Sequence, residues 1–200
     1  MLTAAGRIAA ARRHADVALA SDPLVFRAAW VASVVEFLDG RFDAALARMR
    51  AAVDGLAPSE PFGLWWLAQA YAYRRRADEA RALFERVVNM EASPWTDLSE
   101  VWRRALEGDR DGVLKWFAVP SAPQHVVVVD QWYPCVLAAC LARVGEPGEA
   151  LDWVERAVSG GFSNHLFLSR HDRFLAPLSA HPRFDVLMDR AREKEEAFRI

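Results

Sequence analysis

Groups able to do chemistry are few in this chain. The stretch GGFSNHLFLSRHDRFLAPLSAHPRF, residues 160–184, gathers His165, His171, His181 and Asp172 among Gly, Ser, Asn and Pro. Imidazoles beside a carboxylate can hold a metal ion or move protons. A metal site on a helix favours His at i and i+4, and compact sites favour fixed Cys/His spacings. These histidines have neither spacing and read as turn and cap residues. Cys135 and Cys140, in WYPCVLAACLARV, form neither a CxxC pair nor a zinc knuckle and read as small buried hydrophobes. There is no GxSxG, no GK[ST] loop, no HExxH and no GxGxxG. The sequence therefore implies no catalytic residue, no metal and no cofactor.

The elements must explain the chain instead. Its 200 residues are 53% hydrophobic and 26% charged, ordinary for a folded domain. A net charge of −2 argues against nucleic acid as a direct partner, which needs a clustered basic excess. Arg12-Arg13, Arg74-Arg75-Arg76 and Arg103-Arg104 are each followed by acids, as on solvated helix surfaces. No apolar run approaches the ~20 residues that cross a bilayer. MLTAAGRIAAARRHADVALA places arginines inside its apolar stretch, unlike a secretory leader. A cytoplasmic protein without a membrane partner is expected.

Repetition is the main signal. GRIAAARRHADVAL begins at Gly6, GRFDAALARMRAAV at Gly40, RRADEARALFERVV at Arg75, GDRDGVLKWFAVP at Gly108 and GEPGEALDWVERAV at Gly145. The spacings are 34, 35, 33 and 37 residues. In this design a Gly ends one helix, because only Gly takes the left-handed C-cap conformation without penalty. Five residues on stands a small residue (Ala11, Ala45, Ala80, Ala150) where helices approach closely. A larger apolar residue (Met49, Phe84, Phe117, Val154) follows, then Ala18, Ala52, Val87 or Ala157, in helical 4-then-3 spacing. Asp22-Pro23, Glu60-Pro61, Asp130 with Pro134, and Pro147 open helices. VVVV at 126–129 reads as a lead-in to a helix, and no strand is expected.

Helix pairs of this length, with Leu64, Leu67, Ala68, Tyr71, Ala80, Phe84 and Val87 in the third unit, resemble tetratricopeptide repeats. Leu137, Ala138, Leu141, Gly145, Ala150, Val154 and Ala157 match in the fifth. The second unit has Glu36 where the family usually has an aromatic, and the fourth has Gly112-Val113 for Glu-Ala. The resemblance implies an all-α, right-handed solenoid of about ten helices. Units would lie near 1–23, 24–57, 61–92, 94–123 and 131–162, with a C-terminal cap over 163–200. ALDWVERAVSGGFSN, HDRFLAPL, HPRF and LMDRAREKEEAF resemble the closing segment of such arrays in bacterial signalling proteins, joined to serine/threonine kinase, cyclase or transcriptional-activator domains. In the cap, Phe162, Leu166, Phe167, Leu168, Phe174, Leu175 and Leu178 would cover the last unit. Phe184, Leu187 and Met188 would face inward, with Arg190, Arg192, Glu193, Lys194 and Glu195 solvated.

LVFRAAWVASVVEFL (24–38), PFGLWWLAQAYAY (61–73) and QWYPCVLAACLA (131–142) are apolar nearly all round. Such a helix is buried on every side or offers a face to a partner. In the family the first helices line a concave groove where peptides or neighbouring domains dock. Carried over, that face is Arg27, Trp30, Val34, Phe37, Phe62, Trp65, Gln69, Tyr73, Trp102 and Trp132, while Trp66, Trp116 and Trp153 belong to the core. Two readings stay open, and a third, an enzyme, is disfavoured by the missing motifs. The groove binds a protein or peptide, as the scaffold or sensor part of a larger regulatory protein. Alternatively, it is filled by its own residues or by a second copy, as a self-association module. Finally, the helix from Gly6 looks like the second of a pair whose first is missing, so an array continuing upstream is expected, against Met1 as a true start.

Overall fold

The five residues that begin the repeats share one backbone conformation. Gly6, Gly40, Arg75, Gly108 and Gly145 have φ of 72°, 75°, 61°, 74° and 84°. After each, the next amide reaches back five residues: Arg7 to Leu2 O (2.8 Å), Arg41 to Glu36 O (2.9 Å), Arg76 to Tyr71 O, Asp109 to Arg104 O and Glu146 to Leu141 O (each 3.0 Å). At the four junctions that follow a helix this closure satisfies carbonyls that the helix end leaves orphaned, and at Gly6 it closes a turn. Arg75 adopts the geometry without glycine's freedom.

The computed structural model describes residues 1–22, 24–119 and 131–199, and these are helical without strands. Among them are ten α-helices: α1 (Ile8–Ser21), α2 (Phe26–Leu38), α3 (Phe42–Leu56), α4 (Pro61–Tyr73), α5 (Ala77–Val88), α6 (Pro94–Glu107), α7 (Arg110–Ala118), α8 (Tyr133–Arg143), α9 (Pro147–Ser159) and α10 (Pro182–Ala197). A π turn (Phe167–His171) and a 3-10 segment (Ala176–Ala180) precede α10. The readings of Pro23, of 126–129 and of Asp130 lie outside the described residues. Pro61, Pro94, Pro147 and Pro182 are first residues of their helices, where a missing N–H costs least. The Glu60 carboxylate accepts the Gly63 N–H at 2.6 Å, capping α4.

Two compact units divide the chain. Leu2 and Arg7–Glu100 form one; Met1, Thr3–Gly6 and Val101–Ile200 form the other. In the first, α1 packs on α2, α2 on α3, α3 on α4 and α4 on α5. Ala45, Ala80, Phe84 and Val87 are fully buried, so helices do meet at small residues. Ala11 and Ala15 are buried in a cluster with Ala32 and Val35, flanked by Ile8 and Val31. Ala18, expected on that face, is exposed near the end of α1. Glu36, the departure from the family pattern, is buried, and both its oxygens accept from Arg48 at 2.9 and 3.1 Å. A buried carboxylate is tolerable only when so paired, and these bonds raise the Arg48 pKa above its ordinary value.

In the second unit α9 packs on α8 and α10, and the 3-10 segment packs on α9 and α10. Ala150, Val154 and Ala157 are fully buried, as are Cys135 and Cys140, with burial pushing the Cys140 thiol pKa well up. Gly112 has a local reason: its N–H caps α7 through Asp109 at 2.9 Å, and a Cβ there would collide with the Asp109 carboxylate. Phe117 and Trp116 are half-buried, so Trp116 is not the core residue expected, whereas Trp66 and Trp153 are buried. Phe162, Phe167, Leu168, Phe174, Leu175 and Leu178 form an apolar cover, but Leu166 is 42% exposed and contributes little to it. Phe184, Leu187 and Met188 face inward. Arg190 and Glu195 are half-buried rather than solvated, whereas Arg192, Glu193 and Lys194 are exposed.

Candidate partner-binding surface

Helix α4 answers the question its composition poses: every residue from Gly63 to Tyr73 is buried. In α8 the same holds from Tyr133 to Ala142. Six of the ten residues assigned to an accessible groove are therefore inside the protein. Phe37, Trp65, Gln69, Tyr73, Trp102 and Trp132 are each at most 5% exposed. Large rings in an all-apolar helix gain most by packing on one another. Trp65 lies 5.3 Å from Trp66 and 5.5 Å from Trp95, centroid to centroid. Phe37 meets Tyr73 at 4.6 Å. Trp102 meets Phe174 at 5.1 Å, and Trp132 meets Phe167 at 5.3 Å.

Four candidates keep surface: Arg27 is exposed, and Trp30, Val34 and Phe62 are half-buried. Three of these converge. The Arg27 guanidinium lies 5.9 Å from the centre of the Trp30 ring, and Trp30 meets Phe62 edge-on at 5.0 Å. Phe62 then meets Trp95 at 4.8 Å. Trp95, half-buried, was missed by the sequence reading. Its signal was the echo of Pro61-Phe62 in Pro94-Trp95, both at a helix start. Together Arg27, Trp30, Phe62 and Trp95 make an aromatic row with a cation at one end. Arg27 enters no ion pair among the described residues.

Two polar groups of the tail, His181 and Asp172, hold backbone. His181 Nδ1 accepts the Arg183 N–H at 3.3 Å at the start of α10. Asp172 is buried and accepts the Phe174 N–H at 3.0 Å. No group of three or more His, Cys, Asp or Glu able to hold a metal occurs among the described residues. No helix among them is long and apolar enough to cross a membrane. Comparison with protein-family models and with curated proteins found no match.

Proposed function

We propose that the chain is a protein- or peptide-interaction module, built as a right-handed tetratricopeptide-like solenoid with a C-terminal cap. The repeat reading is supported by the common left-handed closure at Gly6, Gly40, Arg75, Gly108 and Gly145. The observation that carries the binding reading is the row of exposed Arg27 and half-buried Trp30, Phe62 and Trp95. Tryptophan and arginine dominate binding hot spots, and a cation unmatched by an acid favours a partner carrying one. The partner is accordingly an extended segment with apolar side chains and a carboxylate. The resemblance of the tail supports a part in a larger bacterial signalling or regulatory protein, and the proposed module is cytoplasmic and has no enzyme activity of its own.

A second reading is favoured by the burial of Phe37, Trp65, Gln69, Tyr73, Trp102 and Trp132. In it the groove is self-filled and the module associates with its own kind. A fluorescent peptide of alternating leucine and glutamate, titrated against the parent and Trp30→Ala, separates the two. Binding weakened by about 2 kcal/mol or more, with helicity intact, supports the first reading. Absence of binding, with a dimer persisting on dilution in sedimentation, supports the second.

A further inference from the structure

The first residues of the chain are held in the manner of a bound peptide. Met1–Gly6 form a turn, with Ala5 N–H on Met1 O at 3.0 Å and Gly6 N–H on Thr3 O at 3.2 Å. Thr3–Gly6 belong to the same compact unit as the cap. Two consecutive cap amides, Ser163 and Asn164, donate to the Ala4 carbonyl at 2.7 and 2.8 Å. The Asn164 side-chain amide donates to the Thr3 carbonyl at 3.2 Å. Its oxygen accepts the Phe167 N–H at 3.0 Å, which orients the amide. Asn164 and Ser163 are 2% and 4% exposed, so the donors are aimed and desolvated.

Side chains are read as well. Ala4 and Ala5 are buried. At Gly6 a Cβ would lie 2.6 and 2.7 Å from the two Glu195 carboxylate oxygens. Glu195 is fixed there because it accepts the His165 N–H at 3.0 Å. Gly6 also has φ of 72°, which other residues adopt only with strain. The turn held here thus has the form small–small–Gly, with the Thr3 and Ala4 carbonyls bonded by Asn164. A cleft of about 200 Å³ beside it, lined by Met1, Ala5, Gln131, Gly161, Ser163, Lys194 and Phe198, leaves room for residues flanking the turn.

We propose that the Ser163–Asn164 bend and Glu195 form a turn-recognition site, filled in cis by Thr3–Gly6 as an exchangeable latch. Only two alanine side chains are buried by the latch, so it is held by hydrogen bonds and by its covalent proximity more than by apolar area. A segment of that kind opens locally before the molecule unfolds. The site shares no residue with the aromatic row and stands or falls independently of it.

The test uses the full chain and a fluorescein-labelled peptide, Leu-Thr-Ala-Ala-Gly-Arg. The parent should bind it weakly, because the cis turn competes at high effective concentration. Gly6→Val strains the cis turn and drives a methyl group into Glu195, so the variant should bind at least about tenfold tighter. Adding Asn164→Ala should remove that gain. A folded Gly6→Val chain with the parent's affinity, or a gain indifferent to Asn164→Ala, overturns the proposal. Should Gly6→Val fail to fold, hydrogen exchange of the parent decides. The Ser163 and Asn164 amides should exchange together, at least about tenfold faster than those of Leu137 and Val154 in the core. Equal protection overturns the latch.

Discussion

Gln69 is the only side-chain amide on a helix otherwise made of apolar and aromatic residues, and it is fully buried. Neither its Oε1 nor its Nε2 has a hydrogen-bond partner among the described residues. Burying an amide unpaired costs about 1–3 kcal/mol on mutational scales. Gln69→Met keeps the unbranched shape and nearly the volume, and the two have similar helix propensities. The exchange should therefore stabilise the protein by about 2 kcal/mol. For a chain of 200 residues that is a rise of about 4–8 °C in Tm. Thermal melts followed by far-UV circular dichroism read the shift directly, and the folded spectrum should be unchanged. A Gln69→Met protein less stable than its parent by about 1 kcal/mol would refute the reasoning, because the amide would then be making hydrogen bonds.

Two further outcomes follow from local geometry. Arg75→Gly should raise stability by about 1 kcal/mol in urea titration, because Arg75 alone among the five junctions takes the left-handed conformation with a Cβ. No gain would mean that the turn is held by other contacts of Arg75. The second concerns acid. Glu155 accepts from Arg183 at 2.6 Å and Arg190 at 2.9 Å, and these bonds lower its pKa from the ordinary 4.5. A pKa lower when folded than when unfolded contributes stability that is present above the unfolded value. That contribution is lost as pH falls through the folded one. The Tm difference between the parent and Glu155→Gln should thus shrink between about pH 6 and about pH 3, and a constant difference would count against the linkage.

The junctions were legible because they are local. A left-handed residue at a helix end leaves its mark in one position, and four of five are glycines at steady spacing. Small residues at the seams were legible for a similar reason, since Ala45, Ala80 and Ala150 recur at a fixed distance from those junctions. The face of α4 was not. PFGLWWLAQAYAY carries no polar phase, so the pattern cannot say which side is covered, and the structure buries it from Gly63 onward. Glu36 was visible as a break in pattern, but its partner Arg48 lies on the next helix. The docking of Ala4 left no trace at all, because a short run of small residues outside a helix has no period and its partners lie more than 150 positions away.

That distance also has a meaning in time. The Thr3 carbonyl is bonded by Asn164, which is 161 residues later in the chain. At about 5–20 residues per second, synthesis separates the two by roughly 8–32 s. Throughout that interval Thr3, Ala4, Ala5 and Gly6 wait beside a ribosome without the groups that will hold them. A hydrophobic turn left open so long would attract other nascent chains. Threonine, two alanines and a glycine expose little that is adhesive, so the residues small enough to fit the cap are also those that can wait for it safely.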